Sequence, residues 1–198
     1  QRATRAQQAA LKRALLTIAP DKYGKAVHAE MNCVTCHTEI VDAVSPHKKT
    51  GTPKPECAQC HEGLWELARK VDKAKERPRL GVVAQNIDAY RKSFHAQPDK
   101  DHPGQPKAKC DQCHDSHFFD VPPKGSAERK GAWRLGTTSL CGESCHSDAL
   151  DDYKESIHGQ VALEKKDVKG AVCIDCHTSH AIATTSGEPF KVGIPEEC

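Results

Sequence analysis

The stretch Cys110-Asp-Gln-Cys113-His114-Asp-Ser-His117 returns as Cys173-Ile-Asp-Cys176-His177-Thr-Ser-His180, displaced by 63 residues with no gap. The same offset carries Asp88-Ala-Tyr90-Arg-Lys-Ser93-Phe94-His95 onto Asp151-Asp-Tyr153-Lys-Glu-Ser156-Ile157-His158, so a whole unit is repeated, not a single motif. Tyr23-Gly-Lys-Ala26-Val27-His28 is a third copy of the Tyr-to-His stretch, set closer to the cysteines that follow it. Outward from this pair, Cys33-Val-Thr-Cys36-His37, Cys57-Ala-Gln-Cys60-His61 and Cys141-Gly-Glu-Ser-Cys145-His146 complete five clusters, which hold ten of the 11 cysteines.

In every cluster a histidine directly follows the second cysteine. That order is what c-type haem attachment requires, because two thiols form thioethers to the haem vinyls while the adjacent imidazole lies under the iron. Zinc ribbons pair their knuckles two by two and have no need of that histidine, and a disulfide framework has no use for it either. The composition agrees. With 37% hydrophobic and only 5% aromatic residues, and a mean hydropathy of -0.68, a chain of 198 residues has too few large apolar side chains for an ordinary core. The formal net charge is only +2, so nothing in the overall balance points to nucleic acid or to an acidic membrane surface.

From about Tyr23 onward the chain resembles the multihaem c-type cytochromes. The resemblance implies haem c at five complete sites, with thioethers at Cys33, Cys36, Cys57, Cys60, Cys110, Cys113, Cys141, Cys145, Cys173 and Cys176. Proximal ligands are then His37, His61, His114, His146 and His177. It also implies assembly outside the cytoplasm, in the periplasm or at the cell surface. The first residue, Gln1, fits a chain from which a signal peptide or anchor has been removed, and no apolar run is long enough to span a membrane.

Of the 12 histidines, His28, His95 and His158 share the repeated Tyr-to-His context and are candidate distal ligands. His117 and His180, three residues past a proximal histidine, are placed to serve a neighbouring haem, as is common in similar cytochromes. His47 completes the candidates, while His102, in a Pro- and Lys-rich loop, reads as exposed. Six candidates exceed the five motifs by one. Cys198 stands where the repeat would begin a sixth attachment site, so the complete protein is expected to continue. Because Met31 is the only methionine, bis-histidine, low-potential iron is the default. Lys48, Lys49, Lys107 and Lys109 are candidates to offset the charge of haem propionates.

The expected fold is mainly α and loop-rich, with haems forming most of the core and little or no β structure. Residues 1-20 include a basic amphipathic helix, Arg5 to Ile18. Residues 21-66 hold haem units one and two, 67-125 a helical connector and unit three, and 126-198 units four and five with the start of a sixth. A helix is expected from Glu62 to Arg77. Asn86 and Ser147 read as caps of the helices leading to His95 and His158, with Gly159 and Pro98 as stops. Loops are expected at Thr50 to Pro55, Gln97 to Pro106 and Val121 to Gly131.

The function that follows is electron transfer through closely spaced haems, between a donor such as a quinol-oxidising membrane subunit and a periplasmic or extracellular acceptor. Its partners would be redox proteins or a membrane respiratory complex, in an assembly larger than this chain. A multihaem reductase of a small oxyanion would instead need one open iron, with His146 the first suspect because of its longer motif. A structural or docking cytochrome subunit is the third reading.

Overall fold

The structure, a computed structural model, describes residues 18-40, 56-120 and 126-185. The chain forms α1 (Pro20–Tyr23), α2 (Cys33–Cys36), α3 (Cys57–Lys70), α4 (Pro78–Lys92), α5 (Cys110–Cys113), α6 (Ala127–Gly142), α7 (Ser147–Glu155), α8 (Ile157–Gly159) and α9 (Cys173–His177). A 3₁₀ turn at Phe94–Ala96 and a π-helical turn at Gln160–Glu164 complete the elements. Among the described residues the only β feature is an isolated antiparallel bridge between Pro98 and Pro106, so the mainly α, loop-rich expectation is met. The chain divides into two units, Gln1–Glu56 with His114–Val121, and Cys57–Cys113 with Pro122–Cys198. The amphipathic helix before Ile18, His47, Lys48, Lys49, the Thr50 to Pro55 loop and Cys198 lie outside the described residues.

Several helix limits differ from expectation, each for a local reason. The helix expected over Glu62 to Arg77 begins earlier, at the attachment motif, and ends at Lys70. Asp72 takes a left-handed φ of 53° while the Lys73 N–H bonds the Ala68 carbonyl at 2.7 Å, a Schellman stop built without glycine. Pro78 then opens α4 at the first helical position, where its missing N–H costs nothing. Asn86 lies inside α4 and caps nothing. The loop expected to reach Gly131 gives way to α6 at Ala127.

Ser147 is the first helical residue of α7, and His146 stands at the cap position. The helix stops at Glu155, so it does not carry His158. Ser156 turns the chain and its side chain accepts the Gly159 N–H at 3.1 Å, capping the separate turn α8 on which His158 sits. Ser93 does the same for the His95 turn, accepting the Ala96 N–H at 3.3 Å. Gly159 is not a stop, since its φ of -64° and ψ of -43° continue into the π turn.

Side chains fill little of the interior. Among the described residues the buried apolar set is Ala26, Ala68, Leu150, Ala162 and Val172, mostly small groups. Leu64 and Leu67 on α3, Val71 just past its end, Val82 on α4, and Trp133 and Leu140 on α6 stay exposed. That much uncovered apolar surface beside so small a core is what a chain folded around large flat apolar groups presents. Among the described residues no helix is long and apolar enough to cross a membrane.

Candidate haem-attachment and axial-ligand sites

In four of the described attachment motifs both cysteines sit on a helical turn, where three-residue spacing puts them on one face; the fourth in chain order begins at the end of α6 and runs past it. In the first motif the His37 N–H bonds the Cys33 carbonyl at 2.9 Å, tying the histidine to the first cysteine. The fourth motif has one residue more, yet the His146 N–H still reaches the Cys141 carbonyl, at 3.0 Å. The extra residue is absorbed by widening the turn from a four-residue to a five-residue bond, as in a π-bulge. The unusual spacing therefore leaves the link between first cysteine and histidine intact.

In the unit formed by Gln1–Glu56 and His114–Val121, the His37 and His117 rings lie 6.0 Å apart between centroids with planes 8° from parallel. In the unit formed by Cys57–Cys113 and Pro122–Cys198, His95 and His146 lie 6.1 Å apart with planes at 23°. Each pair joins a motif histidine to one of the distal candidates. A metal held by two imidazole nitrogens at about 2.0 Å each leaves ring centres about 6 Å apart, so both pairs fit one haem iron between them. Burial, with lesser contributions from His146 and Lys107, holds the His95 pKa below its ordinary value, and burial does the same for His177 and His180. Neutral imidazole is the form that ligates iron.

The turns that carry His28 and His95 are placed by backbone bonds to segments distant in sequence. The Val27 N–H, just before His28, bonds the Phe119 carbonyl at 2.9 Å, two residues past His117. The Phe94 N–H, just before His95, bonds the Ile182 carbonyl at 2.7 Å, two residues past His180. These are repeat-equivalent contacts, one in each unit. His158 is exposed, and its neighbour Ile157 is 64% exposed. His102 is exposed too, and its Nδ1–H donates to Asp99 Oδ2, 2.9 Å away.

The cysteines are thiols here and stand in for thioether sulfurs. Cys57 is hydrogen-bonded to Cys110, which raises the Cys57 pKa and lowers that of Cys110 to about 6. Cys141 is bonded likewise to Cys173, raising its own pKa and lowering that of Cys173 to about 7. First cysteines of successive motifs thus touch. Among the described residues no cluster of three or more His, Cys, Asp or Glu is arranged for a bare metal ion, so these contacts do not form a zinc knuckle.

Two arginines anchor the motifs and have no signature in the motif pattern. Arg134 on α6 donates to Asp175, inside the fifth motif, through Nε at 3.1 Å and through Nη2, and to the Val168 carbonyl through Nη1 at 2.7 Å. Asp175 Oδ2 also accepts the Val172 N–H at 2.6 Å, closing the start of α9. Arg91 on α4 holds Glu62, next to His61, through both carboxylate oxygens. Arg134→Met is expected to lower the unfolding free energy by about 2 kcal/mol, the range for hydrogen bonds to a charged group, in a denaturant titration followed at the haem absorbance. A change below about 0.5 kcal/mol would make the fork an ordinary surface pair.

Comparison with known proteins agrees with the attachment motifs. The chain is 28% identical over 166 residues to the high-molecular-weight cytochrome c of Nitratidesulfovibrio vulgaris (strain Hildenborough), a match that covers 77% of this chain and 26% of that protein. The chain therefore spans about a quarter of that relative's length. No solved structure matches it at a significant level. Residues 25–187 match the family described as outer membrane cytochrome MtrC/MtrF-like, domains II/IV. Five attachment motifs, a small apolar core among the described residues and a match across most of the chain's length lead to one conclusion: the chain belongs to the MtrC/MtrF-like outer membrane cytochrome family, and is a haem c protein of electron transfer.

Proposed function

We propose that the chain is a relay in which haem irons are each held between two histidines, passing electrons from a respiratory donor, such as a quinol-oxidising membrane complex, to a periplasmic or extracellular acceptor. One observation carries the reading. Both histidine ring pairs, His37 with His117 and His95 with His146, join a motif histidine to a candidate distal ligand. A histidine on each side occupies both axial positions and leaves none for a substrate. Haem c, when bound, supplies the iron that accepts and releases the electron.

The residues around it do the positioning. The contacts of Cys57 with Cys110 and of Cys141 with Cys173 bring the anchors of neighbouring haems together, which favours transfer along a series. With one methionine in the chain, histidine ligation and a low potential follow for nearly every iron. Thioether attachment and the family both support export, to the periplasm or the cell surface, where partners are redox proteins or a membrane complex. The oxyanion reductase needs an open iron, and the motif that drew suspicion, at His146, has His95 against it.

The test is intact mass with low-temperature electron paramagnetic resonance of the oxidised protein. Five covalent haems, all low-spin and unmoved by nitrite, sulfite or cyanide, are expected. A high-spin haem that binds those anions would replace the relay with a reductase.

A further inference from the structure

The three tyrosines of the chain occupy one position in a recurring device. Each precedes a candidate distal histidine by five residues, and each hydroxyl bonds the carbonyl of the residue two before an attachment motif. Tyr23 Oη donates to the His28 carbonyl at 2.8 Å and lies 3.2 Å from the carbonyl of Met31, two before Cys33. Tyr90 Oη donates to the Ala108 carbonyl at 2.5 Å, two before Cys110. Tyr153 Oη donates to the Ala171 carbonyl at 2.7 Å, two before Cys173, with the His158 carbonyl 3.4 Å away.

Tyrosine and motif are twice as far apart in sequence in the second and third copies as in the first, yet the acceptor is the same, so chain proximity does not explain the contact. Backbone bonds reinforce it. The Met31 N–H bonds the His28 carbonyl at 2.9 Å, and the Ala108 N–H bonds the His95 carbonyl at 3.1 Å. Burial raises the Tyr90 and Tyr153 pKa values, which keeps both hydroxyls protonated and able to donate.

At the two motifs whose histidine has another histidine ring stacked against it, the partner lies away from the tyrosine-bolted pair. His37 faces His117, not His28, and His95 faces His146, not the histidine of the Cys110 motif. We propose that Tyr23, Tyr90 and Tyr153 are positioning residues that bolt the turn bearing one haem's distal histidine to the segment bearing another haem's thioether cysteines. Ligand and neighbouring anchor then move as one body, which holds the spacing between haems. The inference rests on the distal-ligand reading above.

Carbon monoxide separates the two, because it binds reduced haem only after the distal histidine lets go. In the haem-loaded protein, Tyr90→Phe is expected to leave haem count and helicity unchanged and to speed carbon monoxide binding at one haem about tenfold. That is the ratio for about 1.4 kcal/mol, within the range of one buried hydrogen bond. His95→Ala should open the same haem fully, and adding Tyr90→Phe to it should change nothing more. If His95→Ala opens a haem while Tyr90→Phe binds carbon monoxide as the parent does, the bolt is overturned and the ligand reading stands. If the tyrosine effect persists in the His95→Ala background, it does not act through that histidine and the proposal again fails. If His95→Ala leaves every haem low-spin and closed, the ligand reading itself is wrong. Tyr23→Phe with His28→Ala repeats the test in the other unit, and decides it should Tyr90→Phe fail to load haem.

Discussion

Changing His117 to alanine in the haem-loaded protein is expected to turn one haem per chain from low-spin to high-spin and to make it bind cyanide. The reason is local. The His117 ring lies 6.0 Å from that of His37, at the separation of two imidazoles on one iron, and removing it vacates one axial position. The turn beneath does not depend on the imidazole, because Asp115 Oδ1 accepts the N–H groups of residues 117 and 118 at 2.9 and 3.0 Å, contacts that alanine keeps. Haem count should therefore hold, and added imidazole should restore the low-spin signal. Electron paramagnetic resonance with a cyanide titration reads both. A spectrum identical to the parent would move the ligand role to another histidine, with His28 and His47 next in line.

Gly159→Ala should destabilise the protein by about 3 kcal/mol or more, the scale of a backbone collision with no route to relief. Gly159 follows His158 directly, and a Cβ there would run into the Tyr153 carbonyl oxygen and come within 2.8 Å of the Lys154 Cα. Both obstacles are backbone, so no rotamer change clears them. The same carbonyl accepts the Ser156 hydroxyl at 2.7 Å, and Ser156 in turn caps the His158 turn. Forcing the turn away from α7 breaks that cap as well as the packing. Gly63→Ala is the control, because its Cβ would meet nothing within 4 Å. In an exposed helix that change should stabilise, by roughly 0.5–1 kcal/mol. Denaturant titrations of the two variants, read at the haem absorbance, test the contrast. A Gly159→Ala protein as stable as the parent would mean that the close approach is not maintained in the loaded protein.

Much of this was readable from residue order. The attachment motifs declare themselves because thioether chemistry demands two cysteines and a histidine in one sequence on one turn, so the signal is local and covalent. The Tyr-to-His stretch emerged through repetition, and the mainly α fold through composition and the resemblance that the motifs carry. Helix limits were less legible. Asp72 ends α3 in a conformation usually marked by glycine, and Gly159, which reads as a stop, is there for close packing. Residue type marks neither boundary, because the first is set by the local bond from the Lys73 N–H to the Ala68 carbonyl and the second by the close approach of one backbone segment to another.

What residue order could not convey is which candidate histidine lies against which motif histidine. His117 lies against His37 and His95 against His146 only in the folded chain, where backbone bonds dock the turn before His28 to the segment after His117 in one unit and the turn before His95 to the segment after His180 in the other. Those bonds run between peptide N–H and carbonyl groups, which every residue other than proline carries, so they leave no mark in side-chain identity. Histidine is a side-chain identity and can be read along the chain, whereas which histidines face one another depends on backbone docking and exists only once the chain has folded.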